Sequence, residues 1–335
     1  MKKVLIVLLI VLLIGSFAFA NGTEEKKNTT EKYVIANAPK CVGIAWWDRM
    51  KQGNDEFAAE TGNEVYQVGN AGAADVAVQV QTIEDIIASG ADAITVIPAD
   101  PTTMEPILKK AREKGLVVVS HEAAGMENVD YDIEAFNNQE YGAHVMDNLA
   151  KEMGEEGDYA LILGSLTMVS HQQWTEGAIK RQKEAYPNMN LVCDPLEPTG
   201  GDPNEGTYTV VKELISKYSN LKGVIGWDML NPPAIARAVE EANKAGDIVV
   251  TGTCLVSVCS DFLNDGTIKT ISFWDPAAAG KAMCSVAVKT IEGEAITNGM
   301  DLNVEGFENI KLDGKVIYGS AWVDVTKANM ADYNF

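Results

Sequence analysis

The sequence predicts an α/β protein of two Rossmann-like lobes with open parallel sheets, joined by a multi-strand hinge. Three observations predict it. From Tyr33 onward, short β-rich runs alternate with amphipathic helical patterns, the order expected of parallel strands linked by helical crossovers. The alternation begins again after Asn137. About 310 residues follow an N-terminal leader, more than one hydrophobic core usually serves.

In the first half, strands are predicted over 33–44, 64–68, 93–97, 116–120 and 131–136, with helices over 48–61, 75–89 and 103–114. In the second helix Val76, Val80, Ile83, Ile86 and Ile87 recur at helical spacing, while Gln79, Glu84 and Asp85 are assigned to the opposite face. Gly62 and Gly90 stand where a left-handed residue ends a helix. In the second half, a helix over 139–153 precedes strands over 159–163, 190–193, 223–225, 248–251 and 267–273. Helices over 172–185, 205–218, 233–245 and 277–292 alternate with or follow them. The predicted partition is 33–136 with 274–302 in the N-terminal lobe, and 137–273 with 303–335 in the C-terminal lobe.

The first residues read Met1-Lys2-Lys3, an apolar run from Val4 to Ile14, then Ala18-Phe19-Ala20. That is the pattern of a secretory signal peptide over 1–20, with an apolar core shorter than the ~20 residues of a membrane span. A polar leader follows over 21–32. Cys41 is the first cysteine, so lipid attachment at the cleavage boundary is not expected, and the protein is expected to be periplasmic or otherwise extracytoplasmic.

The net charge of −21 opposes a nucleic-acid partner, because phosphate binding needs basic patches. A monomer is expected. The three histidines lack metal-ligand spacing, and no phosphate-binding or dinucleotide fingerprint appears, so no metal or cofactor is expected. Of five cysteines only Cys254 and Cys259 are near neighbours. One disulfide is open in an oxidising compartment, and buried thiols are the default.

Open sheets bind ligands beyond the carboxyl ends of their strands, so candidate residues are those that follow strands. Lys40 and the pair Trp46-Trp47 follow the first. Flat indole faces stack on the CH groups of a sugar ring while neighbouring polar groups bind its hydroxyls; the competing role for either tryptophan is core packing. Glu122 follows the fourth strand, where a carboxylate can accept from two hydroxyls. Asn137 marks the passage into the second lobe. Ser170 and His171 open a helix, Ser170 also suiting an N-cap and His171 a neutral hydrogen-bonding role. Asp228 and Pro233 follow the Gly223–Ile225 run, and Trp274-Asp275 follow the strand ending at Phe273. Asp275, just before Pro276, equally fits an N-cap.

With Pro39-Lys40, Val42-Gly43, Trp46-Trp47, Gln172-Gln173-Trp174, Pro233-Ala234 and Phe273-Trp274-Asp275 in view, the chain resembles the type I periplasmic binding proteins. Within them it is similar to the receptors for autoinducer-2 and rhamnose-like sugars, from about Tyr33 to the final residues. The resemblance implies hinge closure on a small sugar-like ligand, delivery to the membrane permease of an ABC importer, and in some members recognition by a chemoreceptor. It places Lys40 on a ligand-contacting lysine and Pro233 on a binding-loop proline. Glu122 stands where the autoinducer-2 receptors carry aspartate, and Ser170-His171 where they carry Asp-Gln, which alters the hydroxyl pattern and charge of the pocket.

Two other classes compete. A secreted glycoside hydrolase needs two carboxylates across the cleft, which Glu122 with Asp228 or Asp275 could supply, but no activated nucleophile motif accompanies them. A sugar-responsive transcription regulator shares the fold, but the leader and the lack of an N-terminal DNA-binding segment oppose it.

Overall fold

Ala93–Val96 is buried at every residue, as a strand must be when helices cover both faces of a parallel sheet. It is β3 of a seven-stranded sheet in the computed structural model, which describes residues 32–335. The signal peptide expected over 1–20, and all but Lys32 of the polar leader, lie outside the described residues.

The first sheet is built from β1 (Val34–Ala38), β2 (Glu64–Gln67), β3, β4 (Val117–His121) and β5 (Tyr131–Glu134). Between them run α1 (Ala45–Thr61), α2 (Val76–Ser89) and α3 (Pro101–Glu113). β11 (Lys311–Asp313) and β12 (Val316–Tyr318) complete it in the order β11-β12-β5-β4-β3-β1-β2. All pairings are parallel except β11 with β12.

α4 (Asn138–Met153) opens the second layer system. β6 (Glu156–Ile162), α5 (Val169–Ala185), β7 (Asn188–Leu191), α6 (Pro203–Lys217), β8 (Leu221–Gly226) and α7 (Asn231–Glu241) follow. Next come β9 (Val249–Thr253), α8 (Val256–Asp265), β10 (Ile268–Phe273) and α9 (Pro276–Ile291). The second sheet has the order β13-β10-β9-β8-β6-β7, with only β13 (Val323–Val325) antiparallel. In each sheet the strand order reverses beside the first strand, β1 or β6, the switch point at which open α/β sheets bind ligands.

The helices begin where the sequence supplies caps. Asp75, Asp100, Asn137, Asp202 and Asp275 each accept a backbone N–H with the side chain, three of them just ahead of a proline in the first turn. Close helix crossings fix the helices that carry the aromatic residues. A Cβ on Gly53 of α1 would fall on the Ala277 carbonyl of α9, and one on Gly142 of α4 would fall on the Trp174 carbonyl of α5. α9 also packs on β3 and β4, although the strand before it belongs to the other sheet.

Several expectations need correction. β1 ends at Ala38, because Pro39 follows and the chain leaves the sheet; residues to Ile44 are a loop pinned to 70–72 by Val42 N donating to Asn70 O and Gly72 N donating to Val42 O, both at 2.8 Å. Gln79 is buried and bridges strand ends, donating to the carbonyls of Ala38, Pro39 and Ile97. The tail does not lie wholly in the second lobe: β11 and β12 pair in the first sheet, and only β13 returns to the second. α8 escaped sequence reasoning because Val256, Val258 and Cys259 are weak helix formers and its helical dihedrals break at Cys259.

Candidate ligand-binding cleft

A cavity of about 380 Å³ lies among the carboxyl ends of both sheets, within the range of small-molecule sites. Its walls come from loops after β1, β2, β3, β4, β6, β7, β8 and β10, from the starts of the helices that follow, and from the end of β9. Of the predicted residues, Lys40, Trp46, Trp47, Glu122, His171, Asp228 and Trp274 line it.

Lys40 and Glu122 join the end of β1 to the end of β4. Lys40 Nζ lies 2.5 Å from Glu122 Oε2, and both side chains are buried. Burial works to raise the Glu122 carboxyl, but the charge and hydrogen bond of Lys40 outweigh it and hold it below the usual carboxylate range. Glu122 adopts φ +57°, the left-handed region that a residue with a Cβ seldom enters. His121 completes the corner: its Nδ1 is 2.6 Å from the Ile133 carbonyl, so that nitrogen carries the proton and Nε2 faces Glu122 Oε1 at 3.8 Å.

Across the cavity, Gly164 N donates to His171 Nδ1 at 3.1 Å. An accepting Nδ1 makes the imidazole a neutral Nε2–H donor. Burial, then the charge of Lys40, brings the His171 pKa down to about 3. Asp228 sits beside Gly164, where a Cβ would meet its carboxylate and His171. Leu230 N donates to Asp228 Oδ1 at 2.9 Å, and burial pushes the carboxyl up.

The aromatic wall is larger than the sequence disclosed. Trp174 and Trp227 join Trp46, Trp47 and Trp274 in the lining. Trp46 and Trp274 meet edge to face with centroids 4.8 Å apart, Trp274 meets Phe136 at 5.2 Å, and Trp174 lies 5.9 Å from Trp227. Asn138 orients Trp174 by accepting from its Nε1 at 2.7 Å. Among the described residues, Nε1 of Trp227 and of Trp274 are buried without a protein acceptor. Trp174 stands in the second turn of a helix, where core packing is the ordinary role; its place in the Gln172-Gln173-Trp174 run was the available signal.

Four predicted residues stand outside the lining. Asn137 is the N-cap of α4, accepting from Glu140 N at 3.0 Å. Ser170 does not cap α5, whose N-cap is Met168; it is buried in the first turn with its hydroxyl turned into protein. Pro233 is buried in the first turn of α7, which Pro232 and Pro233 both suit. Asp275 caps α9 and holds Arg49 through Nε at 2.9 Å and Nη2 at 2.5 Å.

Two lobes with a polar, tryptophan-walled cavity at their switch points define a ligand-capture fold with the site between its sheets. Residues 35–295 match the periplasmic binding protein domain family, and the chain belongs to it. It is 25% identical over 288 residues to the D-ribose/D-allose-binding protein of Pseudomonas aeruginosa, covering 83% of this chain and 88% of that protein. With the D-allose-binding periplasmic protein of Escherichia coli the identity is 24% over 249 residues, 72% of this chain and 79% of that one. Among solved structures, LsrB from Clostridium saccharobutylicum in complex with AI-2 superposes with a TM-score of 0.80 at 20% identity, over 90% of this chain and 100% of that chain. A solute-binding protein from Clostridium phytofermentas with bound L-rhamnose gives 0.81 at 18% identity, over 90% of this chain and 98% of that one. At such identities these two likenesses establish the fold.

Proposed function

We propose that the chain is the extracytoplasmic solute-binding component of an ABC importer and captures a small neutral sugar or polyol by closure of its two lobes. The observation that carries this reading is the pairing, in one cavity, of indole faces with a set of fixed hydrogen-bonding groups from both sheets. Trp46, Trp47 and Trp274 supply stacking surface. His171 supplies a donor, and Asp228 and Glu122 supply acceptors. Contacts to both lobes stabilise the closed form over the open one, and the permease then reads that form.

The related proteins named for D-ribose and D-allose support a pentose or hexose. AI-2 and L-rhamnose are finer alternatives motivated by the structural neighbours. The acidic leader-bearing sequence supports a free periplasmic monomer, with a chemoreceptor as a second reader of the closed state. A hydrolase gains no support from the related proteins, which are named for sugar binding, and Glu122, held as an anion by Lys40, is a poor proton donor at neutral pH.

The test is a thermal-shift screen with D-ribose, D-allose, xylitol, L-rhamnose and AI-2. A tight ligand raises the melting temperature by mass action, and it should be recovered chemically intact. A sugar recovered cleaved or isomerised would replace the transport reading with an enzyme.

A further inference from the structure

Behind the cavity wall, Cys254 and Cys259 meet at the turn from β9 into α8. Thr253, which lines the cavity, immediately precedes Cys254. Both thiols are buried, and both approach one atom: Cys254 Sγ lies 3.4 Å and Cys259 Sγ 3.3 Å from the Leu255 carbonyl oxygen. Cys254 Sγ also donates to the carbonyl of Met229 at 3.2 Å, and Met229 is another lining residue. At Cys259 the helix leaves helical geometry, with φ −129° and ψ 15°. The other three cysteines have different neighbours: Cys41 is beside Trp47, Cys193 near Lys217 and Cys284 near Asn54.

We propose that Cys254 and Cys259 are a disulfide-forming pair whose state is felt at the Met229 wall of the ligand cavity. The co-reactant is a disulfide, of a small thiol or of an oxidoreductase. One cysteine thiolate attacks it, forming a mixed disulfide and releasing one thiolate. The second cysteine thiolate then attacks the mixed disulfide at the first cysteine's sulfur and releases the other. The protein loses two protons and two electrons, and the co-reactant becomes two thiols. Burial, then the neighbouring Cys259, pushes the Cys254 thiol well above its ordinary value, which makes Cys254 a weak nucleophile in the folded chain; because both thiols are buried there, the co-reactant reaches them while the chain folds. Once formed it removes the Cys254 donor from the Met229 carbonyl. The geometry carries the pair whichever solute is captured, and export supplies the oxidising surroundings.

The test refolds the protein from denaturant in a mixture of reduced and oxidised glutathione, blocks free thiols and maps the tryptic peptides by mass. The expected result is one peptide containing both Cys254 and Cys259, unblocked at each and lighter by two hydrogen atoms, with Cys41, Cys193 and Cys284 blocked. Blocking of both Cys254 and Cys259, or a bond from either to another cysteine, overturns the pair. Backbone amide exchange over 227–231 should be faster in the oxidised form than after reduction. Identical exchange in the two forms would overturn the connection to the cavity. Neither readout depends on a sugar binding.

Discussion

Lys40 and Glu122, 82 positions apart in sequence, form an ion pair of 2.5 Å in which both side chains are almost fully withdrawn from water. The pair ties the loops after β1 and β4 together and presents its remaining polar atoms to the cavity. Removing one partner of such a pair leaves an uncompensated buried charge, which costs about 3–5 kcal/mol. Lys40→Met and Glu122→Met are therefore each expected to lower unfolding free energy. Lys40→Met with Glu122→Met together should recover most of the loss, because an apolar replacement of both is close to neutral. Urea unfolding of the three variants checks this; an additive double variant would show that the charges are not coupled.

Asp228 separates affinity from stability. Burial raises its carboxyl pKa, so the folded state disfavours the anion, and its contribution to stability falls as pH rises from the unfolded value through the folded one. Asp228→Asn should therefore stabilise the unliganded protein at neutral pH while weakening solute binding by about 1–3 kcal/mol, the scale of a hydrogen bond to a charged group. Melting temperature and titration calorimetry on the same samples should move in opposite directions.

His171 gives the converse pH dependence. Its folded pKa, about 3, lies below its ordinary 6.5, so between those values the unfolded chain binds a proton that the folded chain does not. The His171 contribution is lost as pH falls through that window, with a slope approaching about 1.4 kcal/mol per pH unit. His171→Gln should remove that slope, seen as a shallower difference between pH 6.5 and pH 4 than in the parent. Parallel curves for both proteins would contradict the neutral, buried imidazole.

The helix crossings predict steric sensitivity away from the cavity. Gly142→Ala drives a methyl into the Trp174 carbonyl, and overpacking of that kind costs about 1–3 kcal/mol. A fall in melting temperature with weaker solute binding is expected, because α5 also carries His171 into the cavity.

The alternation of strand and helix was legible because burial on both faces makes parallel strands near-continuous apolar runs, as at Ala93–Val96. Lys40, Glu122 and Asp228 each follow a strand, and position at a strand end was enough to bring them to the cavity lining. A capping side chain and a cavity side chain share that local pattern, as Asn137 and Asp275 do. Nothing local marks a helical tryptophan, Trp174, as cavity lining, or the tail strand β12 as the neighbour of β5 through a pairing 184 positions apart at Val316 and Asp132. Such contacts depend on long-range packing.

Capture of a small sugar in the tryptophan-walled cleft is tested most directly by titration calorimetry of the full chain lacking residues 1–20, with D-ribose, D-allose, xylitol and L-rhamnose as titrants. Saturable one-to-one binding of at least one of them is expected, weakened by about 1–3 kcal/mol in Trp47→Ala. Absence of binding by all four, or binding unchanged by replacing Trp47, Asp228 and His171 in turn, would contradict it.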